Sequence, residues 1–185
     1  MAGERALFYP RRQDRRNFAV LGRAMHNCSV MGVEIERKFL VVGDAWRCNV
    51  TVSRALRQGY LSRDETSTVR VRTDGTYAWL TIKTGGQGMI RSEFEYSIPV
   101  SDAEELLDAC PGRVVEKVRH IVPHGRHQWE IDVFHGKNAG LVLAEIELDA
   151  EHEEFAYPPW IGDEVTGDPR YYNSRLAEHP MRQGA

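Results

Sequence analysis

Pairs of charged residues two positions apart recur along the chain, and most pairs carry a single sign. The acidic pairs are Glu34/Glu36, Glu93/Glu95, Glu130/Asp132 and Glu145/Glu147, and the basic pairs are Arg70/Arg72 and Lys117/Arg119. Arginine and lysine bind phosphate oxygens, whereas clustered carboxylates bind hard cations such as Mg²⁺ or Mn²⁺. A polyphosphate that is chelated by a divalent metal ion needs both kinds of group at once.

The segments that hold these pairs show the alternation of β-strands. In the stretch MGVEIERKFLV, the apolar residues Val33, Ile35 and Phe39 alternate with polar ones, and side chains two positions apart lie on one face of a strand. The pattern predicts strands over 33–42, 58–62, 68–74, 77–84, 89–100, 113–123, 126–135 and 141–149. Many short strands with few helices favour an antiparallel sheet that closes on itself.

Helical patterns are fewer. The sequence SDAE at residues 101–104 is a capping box, and Pro111-Gly112 ends the helix that it starts. A weaker helical pattern covers 47–56, and a short helix is predicted near Tyr171–Ala177. The fold class is therefore mainly β, with a few helices beside the sheet.

A simpler interpretation is that the charged faces are the solvent-exposed faces of an antiparallel sheet. For any one strand this is the more common case. The joint pattern argues against it. Solvent-exposed strand faces normally carry threonine and other neutral polar residues as well as charged ones. Like charges gathered on one face repel one another, and a bound ligand of opposite charge relieves that repulsion. If the sheet closes with these faces inward, it encloses a basic wall and an acidic wall.

Composition restricts the class of protein. The 185 residues are 42% hydrophobic with a net charge of −3, which suits one domain with a real core and argues against nucleic acid as a partner. No stretch approaches the roughly 18 apolar residues of a membrane-spanning helix. Three scattered cysteines favour neither a disulfide framework nor a zinc site, so a reducing compartment, the cytoplasm, is expected. Residues 1–30 lack a core-forming pattern and are interpreted as a flexible extension before a domain at 31–180.

Several further motifs accompany the pairs in a fixed order. They are EIERK (34–38), QGYL (58–61), TVRVR (68–72), LTIK (80–83), EFEY (93–96), EKVRH (116–120), WEIDVF (129–134), AEIEL (144–148) and EVTGDPRYYNSRLA (164–177). This series resembles the CYTH family, the triphosphate tunnel metalloenzymes, over about residues 33–177. The resemblance implies an eight-stranded antiparallel closed β-barrel with a few flanking helices.

The resemblance also implies the roles of individual residues. Those implied to bind the triphosphate are Arg70, Arg72, Lys83, Lys117, Arg119 and Arg91. Those implied to bind Mg²⁺ or Mn²⁺, or to lie close to it, are Glu34, Glu36, Glu145, Glu147, Asp132, Glu93 and Glu95. We further hypothesise that Lys38, together with Tyr60, orients or deprotonates the attacking water. The alternative for Lys38 is that it only neutralises the acidic wall.

The chain is most similar to the small bacterial family members that hydrolyse inorganic triphosphate to pyrophosphate and phosphate with metal-activated water. An adenylate cyclase of the same fold, a thiamine or nucleoside triphosphatase, and a sensor that binds without turnover are the alternatives. A complete set of metal carboxylates argues against a pure sensor, because a basic groove suffices for binding. No Ser-His-Asp or Cys-His grouping stands out in the sequence. The expected partner is a triphosphate substrate, and the expected assembly is a monomer or a homodimer.

Overall fold

The alternation seen in the sequence is realised as strands in the computed structural model, which describes residues 35–63, 67–84 and 92–181. The strands are β1 (Ile35–Val41), β2 (Val52–Arg63), β3 (Ser67–Thr73), β4 (Ala78–Thr84), β5 (Ser92–Ile98), β6 (Val114–His124), β7 (His127–Phe134), β8 (Val142–Leu148) and β9 (Ile161–Glu164). The α-helices are α1 (Val100–Asp108) and α2 (Asn173–Glu178). Short 3₁₀ helices cover Ala45–Asn49, Gly136–Asn138 and Pro169–Tyr171.

The strands form one antiparallel sheet in the order β5-β4-β3-β2-β6-β7-β8-β1-β9. The predicted mainly β, antiparallel architecture is confirmed. The described residues form nine strands rather than eight, because β9, which the sequence did not predict, pairs with the edge of β1 that does not pair with β8. Within the described residues, hydrogen bonds do not join the edge strands β5 and β9.

The predicted helix over 47–56 is wrong. Ala45–Asn49 form a 3₁₀ helix, and Val52 already begins β2. Pairing with β6 runs without a break from Val52↔Ile121 to Gly59↔Val114. This long ladder overrides the weak local helical preference of the segment.

The other two predicted helices are present, with one difference. Helix α1 begins at Val100 with Pro99 at the N-cap, one residue before the predicted capping box. The Ser101 hydroxyl bonds Asp102 instead of capping the helix. Helix α2 lies where the sequence predicted a short helix near 171–177.

Apolar side chains on the outer face of the sheet form the main core. Phe39, Trp129 and Ile146, from β1, β7 and β8, pack with Trp46 and Trp160. Helix α1 covers the outer face of β3 and β4, where its Ala103 and Leu107 join Val71 and Ala78 in a second cluster. The charged pairs alternate with these apolar residues, so they lie on the opposite face.

That opposite face is concave. Leu176 of α2 packs in one cluster with Tyr60 of β2, Leu143 of β8 and Leu40 of β1. Strands β2 and β1 are four steps apart in the sheet order, which would span about 19 Å in a flat sheet. Because residues of both strands meet in one cluster, the sheet curls strongly and α2 lies within the curve at one end.

The described residues all belong to one compact unit, Met31–Ala185. Residues 1–30 lie outside the described part of the chain, so their interpretation as an extension stays a prediction. No helix among the residues that the structure describes is long and apolar enough to cross a membrane.

Candidate active site

The strand registers bring the charged pairs together on the concave face. Lys38 lies opposite Glu145 on the neighbouring strand, and Arg119 lies opposite Asp132. Residues directly opposite one another in an antiparallel pair share a face. We call this surface the charged face, and its polar and aromatic members are Glu36, Lys38, Arg54, Gln58, Tyr60, Arg70, Arg72, Trp79, Thr81, Lys83, Glu93, Glu95, Lys117, Arg119, Glu130, Asp132, Glu145 and Glu147.

Asp132 lies at the centre of the charged face and is fully buried. It accepts two hydrogen bonds from Arg119, from Nε and Nη2, both 2.7 Å long, and one of 2.5 Å from Lys117 Nζ. Burial opposes ionisation of this carboxyl, but the charges of Arg119 and Lys117 and their hydrogen bonds outweigh it and hold the pKa of Asp132 below its usual value. Asp132 is therefore a carboxylate that fixes two cations in place.

Beside this group, Lys38 bridges two carboxylates. Its Nζ lies 2.7 Å from Glu145 Oε1 and 3.2 Å from Glu36 Oε1. Burial would lower the pKa of Lys38, but the charges of Glu145 and Glu36 outweigh it and raise that pKa. Burial and the charge of Glu145 raise the pKa of Glu36. The backbone N–H of Lys38 donates to Thr166 Oγ1 at 2.9 Å, which anchors the residue to the segment after β9.

Glu145 completes the link between these groups. It is nearly buried, and its second oxygen accepts a 2.7 Å hydrogen bond from Arg119 Nη2. Burial opposes its ionisation, but the charges of Arg119 and Lys38 prevail and lower its pKa. Arg119 also donates to Glu130, so its guanidinium is enclosed by three carboxylates. Much of the like-charge repulsion expected from the sequence is thus relieved by ion pairs between strands.

The two arginines of β3 have longer ion-pair distances than Arg119. Arg70 Nη2 donates to Thr81 Oγ1 at 3.1 Å, and Thr81 in turn donates to Glu95 at 3.0 Å. Lys83 Nζ lies 2.8 Å from Glu93. The Nε atoms of Arg70 and Arg72 are buried and have no hydrogen-bond partner among the residues that the structure describes. An unsatisfied buried N–H costs free energy, which a ligand oxygen at this place would recover.

Tyr60 faces the same space from β2. It is buried, and its phenol oxygen accepts a 2.9 Å hydrogen bond from Gln58 Nε2. Burial raises the pKa of Tyr60. The phenol is therefore protonated at neutral pH, and it can donate its own O–H but cannot act as a ready base.

The structure thus places on one face every predicted site residue that it describes. Glu34 and Arg91 lie outside the described residues. Glu147 lies opposite Glu36 on the exposed part of the face. Among the described residues, no three acidic, histidine or cysteine side chains are grouped closely enough to hold a metal ion as they stand.

The donor chemistry nevertheless fits a divalent cation. Glu36 and Glu145 are neighbouring carboxylates, and burial together with the charge of Glu145 raises the pKa of Glu36. Glu36 is only half-buried, with its side chain 48% exposed. An added cation would relieve this repulsion, and carboxylate oxygens are the ligands that Mg²⁺ and Mn²⁺ prefer.

Members of the charged face that were not predicted as site residues include Arg54, Gln58, Trp79, Thr81 and Glu130. Arg54 was hidden by the wrong helix prediction, and its register opposite Arg119 places it on this face. The other residues, Gln58, Trp79, Thr81 and Glu130, lie two positions from a predicted site residue or from one another, so period-two alternation alone could have found them.

Comparisons with known proteins agree with this geometry. Residues 32–172 match the model of the CYTH domain. An inorganic triphosphatase of Acetivibrio thermocellus is 46% identical over 153 residues, covering 82% of this chain and 97% of that protein. An inorganic triphosphatase of Nitrosomonas europaea is 42% identical over 149 residues, covering 78% of this chain and 96% of that protein. A crystal structure of an inorganic triphosphatase superposes with a TM-score of 0.63 at 38% identity, covering 80% of this chain and 96% of that one.

Proposed function

Because the chain belongs to the CYTH domain family, whose triphosphatases are metal-dependent enzymes, we propose that it hydrolyses inorganic triphosphate to pyrophosphate and orthophosphate with Mg²⁺ or Mn²⁺. Water attacks a terminal phosphorus, the P–O bond to the bridging oxygen breaks, and pyrophosphate leaves with that oxygen. The observation that carries the proposal is the pair of buried, unbonded Nε atoms of Arg70 and Arg72 on a face that also holds paired carboxylates.

The basic residues bind and orient the phosphate chain. Arg70 and Arg72 have free N–H groups for phosphate oxygens, and Lys83 adds a more exposed cation. Lys117 and Arg119 are fixed by Asp132, so they contribute charge at a set position. Preorganised positive charge of this kind stabilises the transition state of phosphoryl transfer without reorganisation at the moment of reaction.

We assign the metal ion to Glu34, Glu36, Glu145 and Glu147. Asp132, Glu93 and Glu95 lie close to this site and hold the neighbouring cations. A divalent ion held there would neutralise phosphate charge and make the attacking water more acidic. Glu93 and Glu95 instead contact the basic residues, with Glu95 Oε2 lying 3.7 Å from Arg70 and 3.5 Å from Arg72. Their part is to hold these arginines rather than to bind the ion directly.

Lys38 and Tyr60 act as orienting groups. Lys38 is an ammonium between two carboxylates, so it donates hydrogen bonds and does not accept a proton. Of the two roles considered from the sequence, orientation of the attacking water is thereby favoured over its deprotonation. Tyr60 is a protonated phenol whose oxygen accepts a hydrogen bond from Gln58 Nε2. Its own O–H can therefore donate to a phosphate oxygen.

The direct test is an assay of products. The protein is incubated with tripolyphosphate, ATP or thiamine triphosphate in Mg²⁺ or Mn²⁺, and the products are identified by chromatography. We expect orthophosphate and pyrophosphate from tripolyphosphate at the highest kcat/KM. Cyclic AMP and pyrophosphate from ATP, with tripolyphosphate left intact, would establish the adenylate cyclase reaction instead.

We also propose that the protein acts in the cytoplasm, as a monomer or a homodimer and without a nucleic-acid partner.

A further inference from the structure

The guanidinium of Arg72 lies over an aromatic ring, which distinguishes it from the other described arginines of the charged face. Its Cζ lies 5.2 Å from the ring centroid of Trp79, which is its direct cross-strand neighbour on β4. The ring of Tyr77 lies next to that of Trp79, with a centroid distance of 6.2 Å and an interplanar angle of 39°. The indole therefore contacts a second aromatic ring as well as the arginine.

An aromatic partner and a carboxylate partner use different parts of a guanidinium. A carboxylate accepts from the N–H groups at the edge, whereas a ring contacts the flat face and leaves every N–H free. Arg119 shows the first case, since Asp132, Glu145 and Glu130 all accept from its N–H groups. Arg72 shows the second, since its Nε is buried without a partner and its Nη2 approaches Glu95 no closer than 3.5 Å.

We propose that Trp79 is a positioning residue for the triphosphate substrate: it fixes the plane of the Arg72 guanidinium and leaves the N–H edge of that group free to bind phosphate oxygens. The inference rests on the proposed function and extends it to a residue outside the charged set. It also explains the residue type at position 72. A lysine ammonium has no flat face to stack and no fork of N–H groups to present, so Arg72→Lys loses what Trp79 supplies.

The test is a double-mutant cycle with Trp79→Leu, Trp79→Phe, Arg72→Lys and the combination Arg72→Lys/Trp79→Leu. Steady-state kcat and KM are measured with tripolyphosphate and Mg²⁺, and the dissociation constant is measured by calorimetry with Ca²⁺. We expect Trp79→Leu to raise KM and the dissociation constant by about 3- to 30-fold, the scale of a cation–π contact in a partly buried site. The kcat should change by less than about 3-fold, because Arg72 binds phosphate in both ground and transition states.

Two comparisons separate positioning from a merely structural role. Trp79→Phe retains a ring and should stay within about 3-fold of the wild-type KM. In the Arg72→Lys background, Trp79→Leu should add less than about 2-fold, because the coupled partner is already gone. Arg47→Lys is the matched control, since Arg47 lies 4.4 Å from the ring of Trp46 on the outer face and should leave all constants unchanged.

Three results would overturn the inference: a wild-type KM in Trp79→Leu, the same loss in both backgrounds, or a loss confined to ATP, which would make Trp79 a platform for a nucleobase. A failure of the proposed function is recognised separately. If the wild type leaves tripolyphosphate intact and acts on ATP, the proposed function fails and the cycle is run with ATP. Non-additivity between Trp79 and Arg72 then supports the positioning role, and additivity rejects it.

Discussion

At the scale of single residues, the carboxylates of the charged face differ in what they support. Asp132 is fully buried against Arg119 and Lys117. Removing its charge leaves the buried Lys117 without its carboxylate partner and Arg119 without one of its three, so we expect Asp132→Asn to lower the free energy of unfolding by about 3–5 kcal/mol. Urea denaturation measures this. Glu130→Gln is the control, because Glu130 pairs with Arg119 through a side chain that is 32% exposed, and its loss should cost about 1 kcal/mol or less. Equal losses in the two variants would contradict the assignment.

Asp132 should also affect how the free energy of unfolding depends on pH. The folded pKa of Asp132 lies below its unfolded value of about 3.9. Its carboxylate therefore stabilises the fold above about pH 4, and this contribution is lost as the pH falls further. The difference in unfolding free energy between wild type and Asp132→Asn should shrink between about pH 5 and pH 2. A difference that stays constant over this range would show that Asp132 does not titrate with folding.

Glu36 is the opposite case, because it contributes little to the fold. Its described contact is Lys38 at 3.2 Å, and its side chain is 48% exposed. We expect Glu36→Gln to keep the melting temperature and to lose at least about 10²-fold in turnover, the scale of one preorganised charge contact. Glu151→Gln, on the exposed loop after β8, is the matched control. Full activity of Glu36→Gln, or full activity of the wild type in excess EDTA, would rule out the metal-dependent mechanism.

At the scale of elements, α2 depends on one buried side chain of the turn between β7 and β8. Asn138 Nδ2 donates to Leu176 O at 3.1 Å, and Asn138 Oδ1 accepts from Met181 N–H at 2.9 Å. Asn138→Ala removes both bonds and leaves buried backbone groups unsatisfied, so we expect a loss of about 1–3 kcal/mol in unfolding free energy. Asn173→Ala removes only the 3.3 Å contact with Lys117 Nζ and should cost less. An unchanged free energy of unfolding in Asn138→Ala would mean that apolar packing alone holds α2 in place.

The elements also show what sequence reasoning can and cannot reach. Strands β1, β3, β4 and β8 were predicted because each alternates apolar and polar residues over its own length. The first half of β2 was missed because its identity depends on pairing with β6, a contact between residues far apart in sequence. Strand β9 has only four residues, too few for a periodic signal.

The charged face, like the strands, could be predicted only in part from the sequence. Which residues share it follows from period-two alternation, so Glu145, Lys117 and Arg119 could be identified from the sequence. Which carboxylate bonds which cation depends on strand register and curvature. The triple engagement of Arg119 by Asp132, Glu145 and Glu130 therefore appears only in the structure.

At the scale of the whole molecule, the family match starts at residue 32, close to where the sequence pattern of strands begins. Residues 1–30 hold six arginines and no core-forming pattern. We expect a chain that starts at Met31 to keep the melting temperature and the turnover of the full chain. Differential scanning calorimetry and a phosphate-release assay check this side by side. A clear drop in either quantity would show that the first 30 residues pack on the domain.

The charge distribution of the whole face leads to the last prediction, which concerns substrate choice. Its cations, among them Arg70, Arg72, Lys83, Lys117 and Arg119, are matched to a phosphate chain, and Trp79 is already engaged with Arg72. Tripolyphosphate should therefore supply nearly all of the binding energy, and a nucleoside should add little. A ligand at 100 times its dissociation constant stabilises the fold by about 2.7 kcal/mol, or about 5–10 °C for a chain of this size.

We accordingly expect tripolyphosphate with Ca²⁺ to raise the melting temperature more than ATP with Ca²⁺ at equal concentration. Pyrophosphate is the matched control, because it offers fewer charges to the same cations and should shift the transition least of the three. The buried, unbonded Nε atoms of Arg70 and Arg72 gain acceptors only when the phosphate chain reaches both, so Arg70→Gln should reduce the tripolyphosphate shift. A larger shift with ATP than with tripolyphosphate would mean that the face recognises a nucleoside, and the preference for an inorganic substrate would be wrong.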